Sequence, residues 1–342
     1  MPHPTAGSRA AEPAREHTAA DVVCLGETMA VLSPPDDRPL ADQSALRLSV
    51  GGAESNVACG LAALGHRAAW LSRVGDDAFG QRVRAELAAR GVEVGAVGID
   101  PLHPTGVYFK DPGPDATRPL YYRSGSAAAH MGPELARAPE LRGPRIVHVS
   151  GITAALSDSC ARLLEEIVVR RTPWGAAAVR PVVSFDVNHR PALWKGGAAD
   201  AAAALRDLAR AADLVFVGRD EAEALWGSRH PDDIAGLLAP APLVVVKDAE
   251  HGATSYASGG EVTFAPALAV EVVEPVGAGD AFAAGYLSGV LEDADEVSRL
   301  RLAHLSAATA LRSRDDIPDL GMAASSTSSV SSASSAVTGQ RP

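Results

Sequence analysis

Short runs of apolar, mostly β-branched residues recur along the chain, at 22–25, 68–74, 146–150, 182–187, 214–217 and 243–247, and longer amphipathic segments separate most of them. A short run that is apolar throughout reads as a strand buried on both faces. Strands of that kind alternating with helices make a parallel sheet covered on both sides. The pattern therefore predicts an α/β protein built on a doubly wound, mostly parallel sheet. Helices are expected over 54–64, closed by Gly65, and over 158–170, 200–211 and 279–291. Two stretches, 31–50 and 104–125, break the alternation with short strand-like runs joined by turns such as Asp111-Pro112-Gly113-Pro114-Asp115. They are expected to form a small β-sheet lid over the mouth of the main domain, where it would keep water from a reactive group.

Composition narrows the class. The 342 residues are 46% hydrophobic, enough for a substantial core. The 31 basic against 42 acidic residues give a net charge of -11, which argues against nucleic acid and anionic membranes as partners. Cys24, Cys59 and Cys160 lack the spacing of a zinc or disulfide framework and read as buried free thiols. No stretch is apolar enough for a membrane span or a signal peptide, so a cytoplasmic location is expected. Residues 1–20 read as a disordered leader and the Ser-rich 321–342 as a disordered tail, leaving one domain over 21–320.

Chemistry concentrates in two glycine-rich turns. The segment Glu274-Pro275-Val276-Gly277-Ala278-Gly279-Asp280 runs straight into an apolar helix. Glycines there let backbone N–H groups converge on an anion at the positive end of the helix dipole, as phosphoryl binding requires. Asp280 then stands where it can accept a proton from a substrate hydroxyl. The alternative is a plain strand-to-helix turn with Asp280 as its N-cap. A dinucleotide fingerprint fits less well, because Phe282 replaces the small third residue. The second turn, Gly51-Gly52-Ala53-Glu54-Ser55-Asn56, also feeds a helix. The amides of Gly51 and Gly52 and the side chain of Asn56 suit the hydroxyls of a polyol or sugar. Asn56 as a solvent-facing residue is the alternative.

With both turns present, the chain resembles the ribokinase-like, or PfkB, family of carbohydrate kinases over roughly residues 21–320. The resemblance implies a Rossmann-like domain with a β-sheet lid that often makes dimer contacts, hence a homo-oligomer. It implies transfer of a phosphoryl group from ATP, with Mg2+, to a sugar hydroxyl; a monovalent cation is left open as a further cofactor. By resemblance Asp280 is the base and the backbone of Gly277, Ala278 and Gly279 forms the anion hole. The family's Asn-x-x-Glu element is similar to Gly218-Arg219-Asp220-Glu221, so Glu221 is carried over as an indirect metal contact, while Gly218 departs from the asparagine. A Lys-x-Gly-x-x-Gly nucleotide element is similar to the segment from Lys247 to Gly252, with Ala249 in place of one glycine. Lys247 as a surface charge is the alternative.

The sugar is read from Asp186-Val187-Asn188-His189-Arg190-Pro191 and from Tyr121-Tyr122-Arg123-Ser124. Residues just beyond a strand's C-terminal end face the ligand crevice of a doubly wound sheet, which places Arg190 against an anion. Arg123 at the end of the lid is a second cation, and two arginines can grip a carboxylate that a neutral hexose lacks. Tyr108 and Tyr121 are expected beside the substrate. These segments, with Gly26-Glu27-Thr28-Met29, look like the 2-keto-3-deoxygluconate kinase subgroup, whose pattern adds Asp316 to the substrate residues and Asn188 and Arg190 to the nucleotide side. For each arginine, a salt bridge or a phosphate contact is the alternative. A fructokinase or other neutral-sugar kinase stays open within the enzyme class. A non-catalytic sugar or nucleotide sensor stays open outside it. Trp174, Trp194 and Trp226 read as packing residues.

Overall fold

The computed structural model describes residues 19–313, 317 and 320, apart from 114–116, 176 and 178. In chain order the strands are β1 Val22–Leu25, β2 Met29–Ser33, β3 Arg47–Gly51, β4 Ala68–Leu71, β5 Arg73–Gly75, β6 Gly98–Asp100, β7 Val107–Asp111, β8 Arg118–Tyr122, β9 Ile146–Ser150, β10 Val182–Asp186, β11 Leu214–Gly218, β12 Leu243–Asp248, β13 Gly252–Ala257 and β14 Val262–Pro266. The α-helices are α1 Ala53–Ala63, α2 Ala78–Ala89, α3 Gly151–Leu156, α4 Asp158–Leu164, α5 Ala198–Ala211, α6 Arg219–Trp226, α7 Pro231–Leu238, α8 Ala278–Leu291 and α9 Glu296–Leu311.

Eight strands form the main sheet in the order β14-β13-β12-β11-β10-β9-β1-β4. It is parallel from β12 to β4, and β13 and β14 close one edge as antiparallel strands. From β1 the chain runs outward to β4, then returns through β9 to the other side of β1, so the order reverses at β1 and β9. In such sheets that reversal opens a crevice at the carboxyl ends of the strands.

Alternation along each strand feeds two cores. Val23 and Leu25 of β1 and Val215 and Val217 of β11 pack on one face with α4, α5 and α7. Val22, Cys24, Leu214 and Phe216 pack on the other with α1, α8 and α9. All three cysteines are buried. Trp174 is buried, and Trp194 and Trp226 pack against the first core. Helix α8 is apolar nearly all round and is correspondingly buried. The Phe216 ring meets Phe282 and Tyr286 edge-on, at 6.4 and 5.3 Å between centroids, and this pins the N-terminal half of α8 beneath β11.

The lid is a separate four-stranded sheet, β3-β2-β7-β8. Register places Val31 opposite Tyr108 and Tyr108 opposite Tyr121, so these side chains share the face turned to the main domain. Of the Asp111–Asp115 turn, Pro114 and Asp115 lie outside the described residues, as do residues 1–18 of the leader and the tail.

The structure corrects several boundaries. The expected strand 68–74 is two strands: β4 ends where its partner β1 ends, and β5 leaves to pair with β6. The expected helix 158–170 is α-helical only to Leu164 and continues as a wider π turn, Glu165–Val169. The edge strands β13 and β14 and helix α9 were not singled out. Helix α9 carries a readable start, since the Asp295 side chain accepts from the Ser298 N–H.

Candidate active site

The carboxyl ends of β10, β11 and β12, the starts of α1, α6 and α8 and the inner face of the lid enclose a cavity of about 780 Å3. Its floor is the entry to α8. Gly277 caps that helix with φ 82°, a left-handed conformation that costs any other residue strain. Asp280 lies on the third helical position, so it is not the N-cap. Its Oδ2 accepts a hydrogen bond from Asn56 Nδ2 at 2.8 Å. Asn56 Oδ1 accepts in turn from the Gly52 N–H at 3.3 Å. The two glycine turns, more than two hundred residues apart in sequence, thus meet through one amide side chain, and Asn56 is buried instead of facing solvent. Gly52 is required for closeness: a Cβ there would stand 2.2 Å from the Glu27 carbonyl oxygen. Burial pushes the Asp280 carboxyl up to about 7, aided by the nearby Asp186 charge and opposed by the Asn56 hydrogen bond.

Lys247, at the end of β12, is largely buried and grips Asp186, at the end of β10, with Nζ at 3.0 and 3.2 Å from its two carboxylate oxygens. The ammonium also lies 3.6 Å from where a Cβ on Gly279 would stand, beside the first turn of α8. Burial disfavours its charge, but Asp186 and Glu221 outweigh that and hold its pKa above the usual lysine value. The surface-charge reading of Lys247 is therefore wrong. Glu221 spans two loops: Oε1 accepts from the His189 N–H at 2.9 Å and Oε2 from the Gly218 N–H at 2.8 Å. Burial raises its pKa against the pull of Lys247.

From the lid, Met29, Tyr108, Tyr121 and Arg123 line the opposite wall. Arg123 is buried and paired with the fully buried Glu27, Nε donating at 2.6 Å and Nη2 also contacting Oε2. Ser126 donates to the other Glu27 oxygen at 2.5 Å. Two of the three guanidinium nitrogens are thus committed within the protein, which leaves Nη1 for another partner. The guanidinium also lies 5.6 Å from the Tyr121 ring centroid. Arg190 is exposed, lines the cavity from the β10 loop, and stands 3.9 Å from Glu221 Oε1.

The family model for pfkB family carbohydrate kinases matches residues 19–320. The chain belongs to that family. This pfkB kinase is 36% identical over 278 residues to a 2-dehydro-3-deoxygluconokinase of Thermoproteus tenax, covering 79% of this chain and 82% of that one. It superposes on the crystal structure of a PfkB protein from Polaromonas sp. JS666 with a TM-score of 0.78 at 33% identity, covering 88% and 97% of the two chains. A putative ribokinase II from E. coli in complex with ATP and Mg2+ shares the fold, with a TM-score of 0.76 at 22% identity, covering 87% and 94%.

Within this carbohydrate kinase, the cavity gathers Gly51, Gly52, Asn56, Tyr108, Tyr121, Arg123, Asn188, Arg190, Glu221, Lys247, Gly277, Gly279 and Asp280. It does not gather all the expected residues. Gly252 lies outside it, at the start of β13, where a Cβ would stand 2.3 Å from the Ala265 carbonyl oxygen. Ala278 directs its methyl to the core, and its N–H donates to the Pro275 carbonyl at 3.4 Å. The amides at the start of α8 without an intrahelical acceptor are therefore better sought at Gly279 and Asp280. Asp316 lies outside the described residues. Sequence reasoning gave no role to Glu27 or Asp186, although both sit in segments it singled out. No helix among the described residues is long and apolar enough to cross a membrane.

Proposed function

We propose that this carbohydrate kinase transfers the γ-phosphoryl group of ATP, with Mg2+, to the primary hydroxyl of 2-keto-3-deoxygluconate, giving the 6-phosphate. The observation that carries the reading is Asp280, half-buried at the mouth of a glycine-entered helix, hydrogen-bonded to Asn56 and lining the same cavity as the lid's Arg123. The residues available fit the cofactors. Glycine-turn amides and Lys247 offer positive charge at one point, and Asn188 contributes a buried side-chain oxygen with no hydrogen-bond partner. Carboxylates and amide oxygens are the hard donors that Mg2+ prefers when it arrives on phosphates.

Asp280 takes the proton of the attacking hydroxyl, and a pKa of about 7 suits a base that must be ionised at neutral pH yet still bind a proton. Asn56 holds the carboxylate in place and, with Gly51, meets the sugar hydroxyls, while the Gly52 N–H is engaged by the Asn56 amide oxygen and orients it. The amides of Gly277, Gly279 and Asp280 and the Lys247 ammonium stabilise charge on the transferred group, while the Ala278 N–H stays on the Pro275 carbonyl and helps shape the turn. Mg2+, when bound, would neutralise the phosphates, and Glu221, whose two oxygens each accept a backbone N–H, would contact it only through water. Asn188, Arg190 and Gly252 belong to the nucleotide side. Tyr108, Tyr121, Arg123 and Arg190 hold the substrate end that carries the carboxylate, and Asp316 is a further substrate contact. The lid excludes water from the transfer.

The name of the Thermoproteus tenax relative supports the acidic sugar. One observation favours a second reading, a neutral-sugar kinase such as a fructokinase: Glu27 already neutralises Arg123. ADP release from Mg-ATP with 2-keto-3-deoxygluconate, fructose, ribose and adenosine separates the two. Preference for the acidic sugar supports the proposal. Preference for fructose keeps the kinase and overturns the substrate. ADP release with any sugar excludes a mere sensor, and repeating the assay in sodium and potassium salts tests for a monovalent cation. We further propose one kinase domain over 21–320, a cytoplasmic location and a homodimer through the lid, whose outer strands β3 and β8 leave edges that a second copy would cover. A persistent monomer on sedimentation at micromolar concentration would contradict the dimer.

A further inference from the structure

Six carboxylates line the cavity: Glu27, Asp186, Asp220, Glu221, Asp248 and Asp280. Five are already engaged. Glu27 holds Arg123 and Ser126, Asp186 holds Lys247, and Asp280 accepts from Asn56. Asp248 pairs with Arg219 at 2.5 Å, and each Glu221 oxygen accepts a backbone N–H. Asp220 alone among them makes no hydrogen bond or ion pair with the described residues.

Its position is set by what is missing beside it. A Cβ at Gly218 would stand 2.6 Å from Asp220 Oδ1 and 3.2 Å from Glu221 Oε2. That first distance is close to the separation between the Cβ of an asparagine and its own amide atoms. A side chain at position 218 would therefore compete for the space where the Asp220 carboxylate now lies. Glu221, by contrast, is spent on fixing the entry to α6 and the turn after β10.

We propose that Asp220 is a ligand, directly or through one water, of the Mg2+ that accompanies ATP, an inference that rests on the Mg-ATP kinase reading above. It takes over the place that Gly218 leaves empty, while Glu221 clamps the surrounding backbone. The donor set has the chemistry required. Mg2+ bound on phosphates typically takes one or two carboxylates and keeps several waters, so no closed protein cage is needed. Among the described residues there is none. A second observation lies in the same cavity wall. Asn188 is 5% exposed, holds φ 39°, and leaves its Oδ1 without a partner, a strained and unsatisfied oxygen beside the loop that Glu221 secures.

The test uses the full chain and equilibrium binding of a non-hydrolysable ATP analogue, titrated with free Mg2+, with Mn2+ binding followed by electron paramagnetic resonance. Asp220→Ala is expected to raise the half-saturating metal concentration about tenfold or more, while metal-free analogue binding is unchanged or tighter. Adding Gly218→Asn to that variant is expected to recover much of the loss, because an amide oxygen then returns to the same space. Asp220 is exposed, so the variant is expected to melt as the wild type does. If the wild type depends on metal and Asp220→Ala leaves the half-saturation unmoved, the assignment of Asp220 is overturned while the Mg-ATP reading stands. If analogue binding by the wild type is indifferent to Mg2+, both fall.

Discussion

Asn56→Ala removes the one side-chain hydrogen bond that Asp280 accepts from the described residues. The lost donor lies 2.8 Å from Oδ2. A hydrogen bond to a charged group contributes about 1.5–3 kcal/mol, and one pKa unit corresponds to about 1.4 kcal/mol. The Asp280 carboxyl should therefore rise by about 1–2 units, from about 7 to roughly 8–9. The base must be ionised to act, so the rate increases with pH and the variant's limb moves to higher pH. At pH 7 the ionised fraction falls from about one half to between one tenth and one hundredth, a loss of roughly 5- to 50-fold that fades above about pH 9.5. The assay is kcat/KM for the acidic sugar from pH 5.5 to 10, since that ratio reports the free enzyme. Lost contacts between Asn56 and the sugar lower the whole curve by a constant factor, and only the position of the limb bears on the argument. A limb still at about 7 would refute the claim that Asn56 sets the basicity of Asp280.

Two further outcomes follow from the same geometry. Asp280→Asn should cut turnover by about 10²-fold or more, and near-native turnover would sink the assignment of the base. It should also stabilise the protein in a pH-dependent way: the folded-state pKa lies above the usual carboxylate value, so wild-type stability is full below about pH 4 and declines as pH rises through about 7. The variant escapes that decline, by about 1–3 kcal/mol once contact with cavity water is allowed for, and a Tm difference that is the same at pH 4 and pH 8 would contradict the burial argument. Arg123→Lys keeps a cation for Glu27 but loses the planar fork, so KM for the acidic sugar should rise about tenfold while nucleotide affinity and KM for neutral sugars hold. An acidic-sugar KM that does not move would remove Arg123 from substrate recognition.

The layered sheet was legible because its strands are apolar on both faces, a pattern that 146–150 and 214–217 carry with no help from the rest of the chain. The lid was legible as an interruption of that pattern. The antiparallel edge was not, because β14 alternates exposed and half-buried residues and Phe264 and Val262 stay exposed, which weakens the signal of a buried strand. The break between β4 and β5 was hidden for the opposite reason. Ala68–Leu71 is apolar and Ser72-Arg73-Val74 contains no glycine or proline to mark a break, so only the end of β1 at Leu25 stops the ladder.

At the site, local sequence gave the loops and which residues lie on them, since a glycine turn before a helix has a fixed local meaning. It could not give the pairings. Lys247 meets Asp186 across 61 positions, and Arg123 meets Glu27 across 96. Each pairing changes what the residue can do. A free arginine offers two parallel hydrogen bonds to a carboxylate, whereas one held by a buried glutamate offers a single terminal nitrogen and little net charge. Selectivity for an acidic sugar must then come from Arg123 and Arg190 acting together, with the exposed Arg190, which stands 3.9 Å from Glu221, carrying the less tightly paired charge. The same reasoning separates Glu221 from Asp220. Adjacent in sequence and identical in charge, they differ in that, among the described residues, one is bonded at both oxygens and the other at neither, and a cation seeks the second.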